Sequence, residues 1–253
     1  MTFTRSTTFT LTAIAAALLA STASMAQVVA AAAPAPAATE LDVAYNIGAV
    51  SDYRYRGISQ TRLRAAMQGG VDLTYGAWYA GAWASNVKWI KDLGGNAQVE
   101  LDLYGGYKYE IAKDITLDIG ALSYVYPSNK LTPSANTTEL YLGIASGPYS
   151  AKYSRALTNT FAFANSKGSD YLEVNVDYEL VKGTNLVAHV GHQTYKNNSA
   201  SNYTDYKLGA TYEALGGKFA ASVIGTDATK ALYTYNNKVI SKTGLVVGYT
   251  KSF

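Results

Sequence analysis

Six charged residues have the types and spacing to act together. Glu100, Glu139, Glu173 and Asp205 each fall near the start of a stretch in which polar and apolar residues alternate. Arg54 and Arg56 lie at the end of another such stretch. If these stretches are neighbouring strands of one closed wall, four carboxylates and two guanidiniums share one layer. Opposed charges across a narrow passage create a transverse field that filters solutes by charge. The same charges, paired tightly, would instead fill the passage with salt bridges. Other chemistry is poorly served. His189 and His192, in "HVGH", are three residues apart, so on a strand they point to opposite sides and cannot hold one metal ion from there. The chain has no Gly-x-Ser-x-Gly elbow, no glycine-rich phosphate loop, no zinc-ligand spacing and no calcium loop. No catalytic residue, cofactor or metal is therefore expected, and the chain reads as a non-enzyme.

The segments that must carry these charges have a period of two. In "VELDLYGGYKY", Val99, Leu101, Leu103, Tyr107 and Tyr109 oppose Glu100, Asp102, Tyr104 and Lys108. In "YLEVNVDYEL", Leu172, Val174, Val176, Tyr178 and Leu180 oppose Glu173, Asn175, Asp177 and Glu179. In "LDVAYNIG", Leu41, Val43, Tyr45 and Ile47 oppose Asp42 and Asn46. Such alternation predicts strands with one apolar and one polar face. About twelve are expected, starting near 41, 68, 78, 98, 115, 138, 149, 170, 185, 204, 218 and 241. Short connections, such as Gly76-Ala77 and 146–148, alternate with long polar ones, such as 57–67 and 126–137. Tight turns at one end and longer loops at the other are the pattern of a transmembrane β-barrel, and a soluble sandwich has no reason to sort its loops by parity.

The 22 tyrosines fit the same expectation. Strands running toward the short turns finish their apolar faces with Tyr75, Tyr109, Tyr178, Tyr212 and Tyr249. These would form an aromatic girdle at one membrane interface. "DYRYRGIS" (52–59) alternates too: Tyr53 and Tyr55 share one face, while Asp52, Arg54 and Arg56 share the other. The expectation is that strand one runs up to this point, with both tyrosines in the outer girdle and both arginines in the lumen. "WYAGAWASN" (78–86) fits either facing, although a two-residue Gly76-Ala77 hairpin would put Trp78 on the face of Tyr75. The chain ends in "LVVGYTKSF", where Leu245, Val247, Tyr249 and Phe253 share a face. A C-terminal aromatic on a final strand of this kind is the expected signal for the barrel-assembly machinery. Lys251 interrupts the face near the interface, where a cation costs roughly 0–1 kcal/mol.

The N-terminus reads as an export signal. Arg5 precedes the apolar core "LTAIAAALLA", and "SMA" supplies small residues for cleavage before Gln27. The expected division is signal peptide 1–26, Ala/Pro-rich spacer 27–39 and barrel 40–253. The absence of cysteine excludes a lipid-anchored N-terminal thiol, disulfides and thiolate metal sites. Net charge is near zero once the expected signal is removed, so no nucleic-acid partner is expected.

The stretches "VSDYRYRGISQT" (50–61), "MQGGVDLTY" (67–75), "AGAWASNV" (80–87) and the ending "GYTKSF" resemble the TorF family of porins, across essentially the whole expected mature chain. The resemblance implies an outer-membrane β-barrel known as a porin mainly by its fold, and it implies no particular solute. Together the residues and the resemblance lead to an expected all-β, single antiparallel transmembrane barrel in a Gram-negative-type outer membrane. It would be a passive channel for small hydrophilic solutes or ions. Its expected partners are those solutes, outer-membrane lipid and lipopolysaccharide, and the assembly machinery. A non-conducting structural or adhesive barrel is the first alternative, and a barrel lipid hydrolase the second.

Overall fold

The computed structural model describes residues 40–253. The expected signal peptide and spacer lie outside the described residues. Twelve strands close on themselves: β1 (Asp42–Val50), β2 (Ala66–Tyr75), β3 (Trp78–Asn86), β4 (Val99–Ala112), β5 (Ile115–Val125), β6 (Thr137–Ser146), β7 (Tyr149–Ala156), β8 (Asp170–Val181), β9 (Thr184–Thr194), β10 (Tyr203–Ala214), β11 (Gly217–Thr226) and β12 (Gly244–Ser252). Each pairs antiparallel with its sequence neighbours, and β1 pairs with β12, from Asn46 opposite Ser252 to Val50 opposite Gly248. Closure leaves no strand edge, so the ladder pairs backbone polar groups along both sides of each strand. The last hydrogen bonds of the seam run from Phe253 N to Tyr45 O at 2.9 Å and from Tyr45 N to Phe253 O at 3.2 Å.

Strand parity sorts the side chains as the alternation predicts. Outward positions are apolar: Ile119, Leu142, Leu172, Leu208 and Leu245 are all about half exposed or more. Pairing of Tyr75 with Trp78 across the Gly76-Ala77 turn fixes the facing of β3. Trp78 is 64% exposed outside the wall, whereas Trp83 is 4% exposed inside it. Inward positions combine tyrosine with glycine on neighbouring strands. A Cβ at Gly81 would lie 2.5 Å from the Tyr104 ring, and one at Gly106 would lie 2.5 Å from the Tyr79 hydroxyl. Rings can lie along the inner wall only where the adjoining strand has no side chain. Each ring then reaches a carboxylate: Tyr79 donates to Asp118 at 2.6 Å and Tyr104 donates to Asp72.

One expectation about the strands fails. β1 ends at Val50, and residues 51–65 do not continue it upward. They turn inward across the lumen as a small hairpin in which Arg54 pairs with Ser59 and Tyr55 with Ile58. Its two central residues, Arg56 (φ 45) and Gly57 (φ 77), both have positive φ. That is the requirement of a type I′ turn, whose twist suits two antiparallel strands.

Candidate functional site

The inward hairpin makes the site. Its base is tied to the loops above: Gln60 O accepts from Lys88 N at 2.8 Å, and Ile240 O accepts from Ser59 N at 3.0 Å. Its tip meets the far wall. A Cβ at Gly57 would collide with Thr226 and lie 2.7 Å from the Asp205 Cβ, so only glycine fits there. Aromatic and aliphatic side chains pack on both sides of it. Tyr53, Trp83, Ile90, Leu122, Tyr124 and Tyr126 form one buried cluster, and Ile58 joins Tyr195, Tyr203, Tyr233 and Ile240 in a second.

This geometry corrects the placement of two expected girdle residues. Tyr53 is 1% exposed and donates its hydroxyl to Glu100 Oε1 at 2.7 Å, with its ring edge-on to Trp83 at 5.6 Å. Tyr55 donates to the Tyr124 hydroxyl at 2.7 Å and meets the Tyr124 and Phe161 rings edge-on, each at 5.3 Å. Neither lies on the outer face of the wall. The physical reason is that alternation fixes only which residues share a face. The interior here supplies ring partners for one face and ionic partners for the other. Burial, reinforced by the Glu100 carboxylate, pushes the Tyr53 phenol well above its ordinary range, so it stays a proton donor. Tyr53→Phe leaves the ring packing intact but removes the donor from a buried carboxylate. The expected cost is about 1–3 kcal/mol, read as a lower temperature for loss of the compact band on gels.

The six charged residues do converge on one region, although not as a simple ring. Arg56 makes a two-pronged pair with Glu139, at 3.1 and 2.7 Å, and donates to Gln193 Oε1 at 2.6 Å. Its guanidinium also lies 4.0 Å from the centre of the Tyr171 ring. Burial opposes the cation, but the Glu139 carboxylate, the Tyr55 and Tyr124 phenols and the hydrogen bond to Glu139 together outweigh it and hold the guanidinium more firmly protonated than usual. Arg54 meets none of the four wall carboxylates. It pairs with Asp52 at 2.8 Å and donates to the backbone oxygens of Gly57 and Lys242, stiffening the hairpin from within. Glu100 belongs to Tyr53. Glu173 pairs with Lys152 at 2.9 Å, and Asp205 sits 2.8 Å from His189 Nε2 while accepting from Tyr171 at 2.9 Å.

Lys152, Tyr171, His189 and Gln193 also line the lumen, on inward positions that strand parity assigns beside the expected ones. His192 points outward, toward Thr204. From the level of the hairpin tip downward the inward wall carries Asp72, Asp118, Glu173, Asp177 and Asp205 against Lys108, Lys152 and Lys207, five acids against three bases. Among the girdle residues, Tyr75, Tyr109, Tyr178 and Tyr212 are each more than half exposed on the outside near the short turns. Tyr249 is half-buried against Phe219 at 4.7 Å. Phe253 is 69% exposed beside them, with Lys251 Nζ 5.1 Å from its ring centre.

These features define a closed twelve-stranded antiparallel barrel with an apolar exterior and a charged interior crossed by its first long loop. The chain belongs to the family Gcw_chp, described as a bacterial protein of unknown function, which it matches over residues 34–253. That match does not carry the TorF name. No curated protein matches the chain. Among solved structures the chain is similar to the KdgM porin (TM-score 0.54, 11% identity, 83% of this chain and 98% of that one), both alone and in complex with disordered oligogalacturonate. It is also similar to the NanC porin (TM-score 0.51, 9% identity, 83% and 98%). At these identities the likeness is one of fold.

Proposed function

We propose that the protein is an outer-membrane, porin-like diffusion channel whose passage is narrowed by its own first loop. The TorF resemblance, the KdgM and NanC folds and the apolar exterior support the location and the class. The observation that carries the channel reading is the charged lower lumen. Five carboxylates against Lys108, Lys152 and Lys207 leave an acidic surplus that salt bridges among these wall residues do not neutralise. The acidic surplus favours small cations and neutral hydrophilic solutes. The oligogalacturonate bound by the KdgM porin is a polyanion and suits this lumen poorly.

The test is single-channel recording in planar bilayers with a salt gradient. The expected result is a small conductance with a reversal potential on the cation side. An anion-side potential would refute the selectivity. The second reading, a closed structural barrel, is favoured by one observation: the Arg56–Glu139 pair seals the hairpin to the wall. It predicts no conductance in wild type.

The outward Phe253 on the closing strand is proposed as the assembly signal. Deleting it is expected to reduce heat-modifiable barrel and raise degraded precursor while leaving export unchanged. Normal assembly of the deletion would remove that role.

A further inference from the structure

The two ends of the barrel differ in charge. The six long loops carry twelve lysines and arginines against three aspartates, whereas the five short turns carry only Lys113, Lys182 and Asp114. Arg54, Arg56 and Asp52 are buried in the hairpin, so most of the loop surplus is on the surface. One place on this rim is organised. Arg155 ends β7 on its outward face, two residues above Tyr153, and is ion-paired to Asp170 at 2.9 Å with its side chain still half exposed. Above it, Gly168 has φ +86 and no side chain. A Cβ there would sit 3.4 Å from Arg155 Nη2 and 3.7 Å from Lys196 Nζ. The Lys196 backbone is fixed in place by a hydrogen bond from its N–H to Ser169 Oγ at 3.0 Å. Lys167 is exposed next to the glycine. Directly below on the same outer face of β8 lie the exposed Leu172 and Val174.

Two cations thus flank the Gly168 notch, one of them a guanidinium that also donates to the Tyr153 hydroxyl at 3.3 Å, and only one carboxylate, Asp170, offsets them. The notch opens outward at the upper edge of the apolar band, not into the lumen. We infer that Arg155, Lys196 and the Gly168 notch form a binding site for a phosphoryl group of an outer-leaflet glycolipid. This rests on the outer-membrane reading above. A phosphoryl oxygen accepts charge-assisted hydrogen bonds from both cations at once, while the acyl chains of the same lipid lie against Leu172 and Val174. A free anion lacks that second contact and binds far more weakly. Gly168 leaves the room: any larger residue would both strain the backbone and occupy the notch.

The test uses the full barrel, folded in detergent and confirmed by its heat-modifiable mobility, and native mass spectrometry with bis-phosphorylated lipid A as the probe. The wild type is expected to retain lipid A adducts. Arg155→Ala/Lys196→Ala is expected to lower their affinity at least tenfold, and Lys230→Ala/Lys238→Ala, on a different loop, to leave it unchanged. Dephosphorylated lipid A is expected to bind the wild type as weakly as the bis-phosphorylated form binds the double variant. Millimolar inorganic phosphate is expected not to compete. Equal retention by the double variant, equal retention of the dephosphorylated lipid, or equal loss in the Lys230/Lys238 control would each overturn the site. Effective competition by inorganic phosphate would overturn the lipid as its ligand. None of these outcomes touches the channel reading, which is decided by conductance.

Discussion

Replacing residues 53–60 by a short Gly/Ser linker should raise the single-channel conductance several-fold while the barrel itself survives. The chain can be cut there without stretching, because Val50 and Ala66, the residues that bracket the loop, are directly paired neighbours. None of the twelve strands takes a ladder partner from the loop, so closure does not depend on it. Two buried clusters lose members in Tyr53, Tyr55 and Ile58. Glu100 and Glu139 lose their partners at the same moment, but the space vacated by the hairpin fills with water. A resolvated carboxylate does not carry the burial penalty that it would have in a dry interior. Removing Arg54 and Arg56 also leaves the lumen more negative, so the reversal potential should move further toward the cation limit. Planar-bilayer recording of the two proteins side by side provides the measurement. A deletion that assembles and shows unchanged conductance would mean that the passage is blocked elsewhere, or does not exist.

Local alternation does not by itself distinguish this hairpin from a wall strand. The wall was legible because an apolar outside and a polar inside impose a period of two over eight or more residues, and because parity sorts the connections. β8 and β4 announce themselves this way over their full length. Asp52–Arg56 alternates just as cleanly, but over five residues, and its apolar face holds only two tyrosines. Tyrosine is ambiguous, since it serves a membrane interface and a buried hydrogen-bonded site equally well. Two signals did distinguish the cases. Within 51–57 no aliphatic residue accompanies Tyr53 and Tyr55 on their face, as Leu172, Val174 and Val176 accompany Tyr178. The dipeptide Arg56-Gly57 marks a turn, although arginine rarely takes the first position of a type I′ turn, and here the grip of Glu139 and Gln193 holds it in that conformation. The charged layer was partly legible for the same reason as the wall: inward parity put Glu100, Glu139, Glu173 and Asp205 inside. Which cation each would find depended on loops and on His189 and Lys152, whose positions across the barrel no local pattern encodes.

Arg56→Ala alone and Arg56→Ala/Glu139→Gln together should behave differently, and the difference reports what holds the hairpin down. The single variant leaves Glu139 charged and buried with its principal partner gone. Breaking one side of a buried pair costs about 3–5 kcal/mol, and the cheapest relief is to admit water by displacing the hairpin. Its packing must resist that, and the packing is already weakened, because the guanidinium also lay against Tyr171. The expected result is a channel with long or frequent large openings and a lower thermal transition of the folded band. In the double variant no charge is stranded. Tyr53, Tyr55 and Ile58 keep the hairpin seated by burial. Openings should return toward wild-type frequency, and the thermal transition should recover by more than half. The two single changes and the double change form a cycle whose coupling should be about 0.5–3 kcal/mol and favourable. If the single and double variants open equally, the ion pair is not the latch, and aromatic packing alone holds the loop across the lumen. If neither opens while the linker replacement does, the latch lies with Arg54 and its bonds to Asp52 and Lys242 O, which stiffen the hairpin without touching the far wall.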